Sequence, residues 1–226
     1  MFKLQRGLIV SCQAEEGSPF NSPQFIAAFA RAAEMGGAIG VRIRDPENIA
    51  VVKREVKIPI IGLSKGSYGS GSVLITPDID DVLRLVESGA DLVAVDATSR
   101  LRPNGVSGYK FLQMVKSKVA VPVVADISTL DEALKASDEG ADFIATTLSG
   151  YTEETADIRN LPDFDLIKKI TSEISTPVIA EGGIWTPEQA KTAIDCGAYA
   201  VCVGTAITRP VSIVKKFVEM LSLGNK

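Results

Sequence analysis

Eight short apolar runs, each followed by a turn and a helix signal, predict an α/β chain closed as a (β/α)8 TIM barrel. Two further observations support closure. Strand openings recur in two alternating forms: Gly-Ala at Gly89, Gly140 and Gly197, with Gly37-Ala38 alike, and Pro-x-x at Pro59, Pro122 and Pro177. The length, 226 residues, suits one barrel domain spanning residues 1–226. An open doubly wound sheet is the alternative; it needs a reversal of strand order that a sequence does not display.

The elements follow in order. Residues 8–12 read as a strand ending at Gln13. Ser22-Pro23 opens a helix with Phe25, Ile26 and Phe29 at helical spacing, and Gly36-Gly37 stops it. Residues 38–43 are the second strand, with Arg42 near its end, and Asp45-Pro46 caps the next helix. Residues 59–64 form the third strand; Lys65 follows, then a small-residue loop over 66–71 expected to act as a mobile lid. Asp78 starts a helix that ends at Gly89. Residues 90–95 form the fourth strand, ending at Asp96, and the loop over 97–105 with Arg100 and Arg102 is expected to be exposed. The fifth strand ends at Asp126, and Thr129 caps a helix running to Gly140. Residues 142–147 are the sixth strand, with a helix over 164–173 to follow. The seventh ends in Glu181-Gly182-Gly183, before Thr186 as N-cap and Pro187 at the first helical position. The eighth, residues 200–203, ends in Gly204-Thr205, and Arg209-Pro210 begins the last helix.

Composition removes several function classes. A net charge of -4 argues against nucleic acid or a membrane surface as the main partner. No apolar run approaches the roughly 18 residues of a membrane span, and the N-terminal residues lack a signal-peptide layout, so a cytoplasmic protein is expected. The three cysteines form no C-x-x-C pair, which leaves metal and redox motifs unsupported; Cys12 and Cys202 read as packing residues. Histidine is absent, so acid–base chemistry falls to Lys, Glu, Asp, Tyr or Cys, and zinc held by histidines is excluded.

Two neighbouring strand–glycine–helix junctions, at Gly182-Gly183 and Gly204-Thr205, form one anion cradle, since the loops after strands seven and eight of such barrels commonly hold a phosphate. Gln13, Lys65, Asp126 and Glu181 end odd-numbered strands and are expected in one inward ring, with Lys65 facing Glu181 across a ligand. Glu181 and Arg42 stand in apolar surroundings and need partners of opposite charge. The plainer roles are a solvated lysine, an aspartate capping a loop and a glutamine tying loop backbone.

The strings Gly7-Leu-Ile-Val-Ser-Cys-Gln13, Pro59-Ile-Ile-Gly62 with Lys65, Thr146-Thr-Leu-Ser-Gly-Tyr-Thr152, Ile179-Ala-Glu-Gly182 and Gly204-Thr-Ala-Ile-Thr-Arg209 resemble the N-acylglucosamine-6-phosphate 2-epimerase family, the N-acetylmannosamine-6-phosphate 2-epimerases. The resemblance covers nearly the whole chain. It implies a phosphate-binding (β/α)8 barrel with no metal and no organic cofactor, a homodimer, and interconversion of N-acetylmannosamine 6-phosphate and N-acetylglucosamine 6-phosphate in sialic-acid catabolism. It implies Lys65 and Glu181 as the catalytic pair and Gln13, Arg42, Asp126 and Arg209 as sugar and phosphate contacts. Gly182, Gly183, Gly204 and Thr205 correspond to the phosphate-binding turns.

A lysine base needs a lowered pKa. Near 10.4 it is neutral in roughly 1 of 2,500 molecules at pH 7, so burial and a nearby cation such as Arg42 are expected around Lys65. Two alternatives stay open: an aldolase-type barrel with Lys65 as a Schiff base, and a barrel that binds sugar phosphate without turnover. Ribulose-phosphate epimerase is disfavoured by the missing histidines, and orotidine-phosphate decarboxylase by Ala97-Thr-Ser-Arg100 after Asp96.

Overall fold

A computed structural model describes residues 4–66, 71–158 and 161–222. Most of the expected lid, residues 67–70, lies outside them. The strands are β1 (Gly7–Cys12), β2 (Gly40–Arg44), β3 (Ile60–Leu63), β4 (Leu92–Asp96), β5 (Val123–Asp126), β6 (Phe143–Ala145), β7 (Val178–Glu181) and β8 (Ala200–Val203). They pair in parallel in sequence order, and β8 returns to β1. The barrel is therefore closed, and the doubly wound alternative falls.

The strands are apolar on both faces because both are covered. Outward residues such as Val10, Val41, Ile43 and Val93 pack under the helices, while Ile9, Ile61, Val124 and Ile179 fill the barrel. The register stacks the inward residues in layers contributed by alternate strands. Ile9, Ile61, Val124 and Ile179 make one layer; Arg42, Ala94, Ala145 and Cys202 make the next; Ser11, Leu63, Asp126 and Glu181 lie above them. Polarity thus increases toward the C-terminal ends of the strands.

Between strands run α1 (Pro23–Met35), α2 (Pro46–Glu55), α3 (Ile79–Glu87), α4 (Gly108–Lys118), α5 (Leu130–Asp138), α6 (Phe164–Glu173) and α7 (Pro187–Asp195). Capping follows the sequence at three starts. Asp78 accepts from the Asp81 amide, and Thr129 with Glu132 and Thr186 with Gln189 form reciprocal capping boxes. Asp45 departs from expectation: it sits at φ 72° and makes no side-chain cap, because its carboxylate binds Arg44 Nε at 2.8 Å. Phe25 is also not a core residue; Ile26 takes the buried position, and Phe25 stacks edge-on against Phe20. The loop over 97–105 is not simply exposed, since Arg102 is buried over the Phe111 ring.

After β8 the chain makes a four-residue helix, α8 (Thr205–Thr208), and then α9 (Pro210–Ser222). α9 buries none of its side chains. Val214, Phe217, Val218 and Leu221 recur at helical spacing on it, and each is more than half exposed.

Candidate active site

A cavity of about 490 Å³ opens at the C-terminal mouth of the barrel. Gln13, Lys65 and Glu181 line it, as do Gly182, Gly183, Gly204, Thr205 and Arg209. Eight of the ten residues singled out in the sequence therefore share one space. Lys65 and Glu181 enter from β3 and β7, on opposite walls of the barrel.

The single ring expected of Gln13, Lys65, Asp126 and Glu181 is corrected by the register. Asp126 and Glu181 share a layer; Gln13 and Lys65 extend two residues beyond Ser11 and Leu63, the members of that layer on β1 and β3. Arg42 lies one layer below Asp126 and Glu181. Its guanidinium grips Asp126 through both ends, Nη1 to Oδ1 at 2.9 Å and Nη2 to Oδ2 at 2.7 Å, and Nη1 also donates to Glu181 Oε2 at 2.9 Å. Arg42 and Asp126 are almost wholly buried and do not line the cavity; they form the support beneath Glu181. Burial acts to lower the pKa of Arg42, and the carboxylates of Asp126 and Glu181 more than reverse it, so the guanidinium is held charged. Burial raises the Asp126 carboxyl above its ordinary range, against the pull of Arg42 and a hydrogen bond from Thr147.

Lys65 is exposed by surface area, and its open surface lines the cavity and a groove beside α3. Its ammonium is nonetheless crowded by protein. Burial, and then the Arg42 charge, lower its pKa to about 8, although Glu181 pulls the other way. The expected neighbouring cation is Arg42, whereas the expected burial holds only for the crowding around the ammonium, since the side chain as a whole is exposed.

One glycine of the cradle is dictated by space. Gly183 has φ 68°, and a Cβ there would lie 2.2 Å from Leu161 Cβ, so no side chain fits. Gly204 is the N-cap of α8, and Thr208 locks that turn to β1 by donating to Ser11 O at 2.7 Å. Arg209 lines the cavity with its Nε buried and without a hydrogen-bond partner. A cation with unspent donors beside two glycine turns is suited to an anion.

Some residues were missed. Thr146 clamps Glu181 by accepting from its amide at 3.1 Å and donating to its carbonyl at 2.9 Å. Cys202 packs in the interior as expected but also floors the cavity, and burial with the Glu181 carboxylate pushes its thiol well above the usual range. Inward alternation on β8 was the available signal. Cys12 packs outward, and burial raises its thiol to about 12. Trp185 lines the cavity with the Lys216 ammonium of α9 3.8 Å from its ring centroid; nothing local in the sequence pairs those two. Among the described residues, no group of three or more His, Cys, Asp and Glu side chains is arranged to hold a metal ion.

The family model NanE, described as "Putative N-acetylmannosamine-6-phosphate epimerase", matches residues 26–222. A protein of Caldanaerobacter subterraneus subsp. tengcongensis named "Putative N-acetylmannosamine-6-phosphate 2-epimerase" is 48% identical over 220 residues, which is 97% of this chain and 92% of the relative. One of the same name from Clostridioides difficile is 40% identical, covering 98% of both chains. The solved N-acetylmannosamine-6-phosphate 2-epimerase from Clostridium perfringens superposes with a TM-score of 0.89 at 39% identity, over 94% of this chain and 92% of that one. Thiamine phosphate pyrophosphorylase from Pyrococcus furiosus, at 19% identity and a TM-score of 0.62, shares the fold alone. The match runs through every strand that supplies the cavity except β1, which the pairwise relatives extend to cover, and the chain belongs to the N-acetylmannosamine-6-phosphate epimerase family.

Proposed function

We propose that this protein interconverts N-acetylmannosamine 6-phosphate and N-acetylglucosamine 6-phosphate by moving a proton at carbon 2, as a cytoplasmic enzyme of amino-sugar breakdown. The observation that carries the reading is Lys65, with a pKa lowered to about 8, on the cavity wall opposite Glu181. At pH 7 about one such lysine in ten is neutral.

The phosphate sits at Gly182, Gly183, Gly204 and Thr205, with Arg209 supplying charge, and Gln13 contacts the sugar. In the open-chain aldehyde the proton on carbon 2 is adjacent to the carbonyl. Lys65 Nζ removes it, the C–H electrons pass into an enolate, and a proton from the Glu181 side returns to the other face. The roles exchange in the reverse direction. Arg42 and Asp126 hold Glu181 at the depth where it meets that face.

The test is turnover in deuterated water followed by NMR. Product labelled at carbon 2 is expected, and unlabelled product rules out proton abstraction. Borohydride added during turnover leaves Lys65 unmodified; a trapped adduct would favour the Schiff-base alternative.

We also propose a homodimer, supported by α9, whose apolar stripe has no cover among the described residues. Sedimentation of the native chain beside Phe217→Glu tests it: the native chain sediments as a dimer and the variant as a monomer. Equal monomeric behaviour of both would refute it.

A further inference from the structure

Two large apolar side chains are fixed in the open on the cavity wall. Leu74 is 41% exposed and Tyr151 57% exposed, and both line the cavity. Leu148 and Ile75, almost wholly buried members of one interior cluster, also line it. The backbone that carries Leu74 is fixed. Its amide donates to Asp96 Oδ2 at 2.9 Å, the Asp96 amide donates to Ile75 O at 3.2 Å, and the Thr76 amide donates to Ser64 O at 3.0 Å. Asp96 is in turn saturated by Thr98 and Arg100. Tyr151 is tied by its amide to Leu148 O at 3.0 Å. An apolar group held open by such a mounting indicates an apolar part of the ligand that covers it.

The ends of the cavity decide which part. The phosphate turns follow β7 and β8; Leu74 and Ile75 follow β3 beside Lys65, and Leu148 and Tyr151 follow β6, the two parts meeting where Ile75 and Leu148 share one interior cluster. With the 6-phosphate in the turns and carbon 2 at Lys65, the substituent on carbon 2 is the group that reaches this wall. We propose that Leu74, Leu148 and Tyr151 form an acyl-selecting wall, open at Leu74 and Tyr151, that accepts N-acyl chains longer than acetyl. The proposal rests on the epimerase reading and deepens it.

The test compares kcat/KM for N-acetyl-, N-propanoyl- and N-butanoylmannosamine 6-phosphate in the native protein, Leu74→Asn and Leu83→Asn. Leu83 is an exposed residue of α3 outside the cavity and serves as control. The native series rises by up to about fourfold per added methylene, the gain expected from burying one. Leu74→Asn flattens that rise, and Leu83→Asn keeps it. A native series that declines from acetyl onward, or a slope unchanged in Leu74→Asn, overturns the wall while leaving the epimerase reading intact. No turnover of any homologue, acetyl included, overturns both.

Discussion

Arg42 and Arg102 are both almost wholly buried, at 2% and 1% exposure, yet their surroundings are opposites. Arg42 stands inside the barrel with two carboxylates on its guanidinium, and their attraction outweighs the burial that would lower its pKa. Arg102 lies in the loop after β4, its guanidinium carbon 3.9 Å from the centroid of the Phe111 ring and its Nη2 donating to Asp96 O. Its Nε and Nη1 have no hydrogen-bond partner, and burial lowers its pKa to about 10 despite Asp96. The difference is what each leaves behind when removed. Arg42 leaves two carboxylates without the cation that bridges them, one of them in the cavity; Arg102 leaves a carbonyl and an aromatic face. The first arginine is tied to the site, and the second to packing.

The largest effect sharpens the first half of that contrast. Lys65, the proposed base, has a pKa that Arg42 helps to lower. Lys65→Met should cut kcat/KM by about 10²- to 10⁴-fold, the usual contribution of a general base. For the direction in which Lys65 removes the proton, native kcat/KM should rise with pH toward a half-maximum near 8, because only the neutral amine accepts. A limb near 10 would mean that the surroundings do not tune it.

Arg42→Met comes next. It leaves Asp126 and Glu181 without their cation, and unfolding in urea should show a loss of about 3–5 kcal/mol, with turnover falling as well. Arg102→Met should lose at most about 1–2 kcal/mol, because an apolar chain of similar length removes unsatisfied donors as well as a cation–π contact. Its kcat/KM should match the native value. Equal losses of stability and turnover in the two variants would break the contrast.

Much of the fold was legible because each βα unit carries its own punctuation. Thr129 with Glu132 and Thr186 with Gln189 fix helix starts locally. Strand ends placed Lys65 and Glu181 at the cavity, and the apolar neighbours of Arg42 announced its need for a carboxylate partner, since both are local properties of a strand. Depth was not legible. It depends on the register of all eight pairs, which put Asp126 and Glu181 below Gln13 and Lys65 and left Arg42 and Asp126 under the cavity rather than on its wall. The same limit explains Arg102. The run Leu101-Arg-Pro-Asn-Gly105 has the composition of a solvated turn, and only the placement of Phe111 on α4 gives its guanidinium a buried face. The stripe on α9 shows the converse, a helical period that the described residues do not bury.

The smallest effect separates tuning of Lys65 from its chemistry. Its folded-state pKa of about 8 lies below the ordinary 10.5 that the unfolded chain retains. Between those values the unfolded chain binds more protons, so the stability of the native protein rises with pH there. Below about pH 8 the ammonium is charged in both states, and the fold carries the whole cost of crowding it. Lys65→Met removes that cost, so by urea unfolding it should be the more stable protein at pH 7. Its advantage should shrink as pH climbs from 8 toward 10.5, above which the amine of the native sequence is neutral in both states. The corresponding window for Arg102 opens only near pH 10, so Arg102→Met should differ from the native protein by a constant amount from pH 7 to 9. A constant gap for Lys65→Met over the same range would show that the fold does not strain this ammonium, and the base would then have to be lowered by the bound substrate alone.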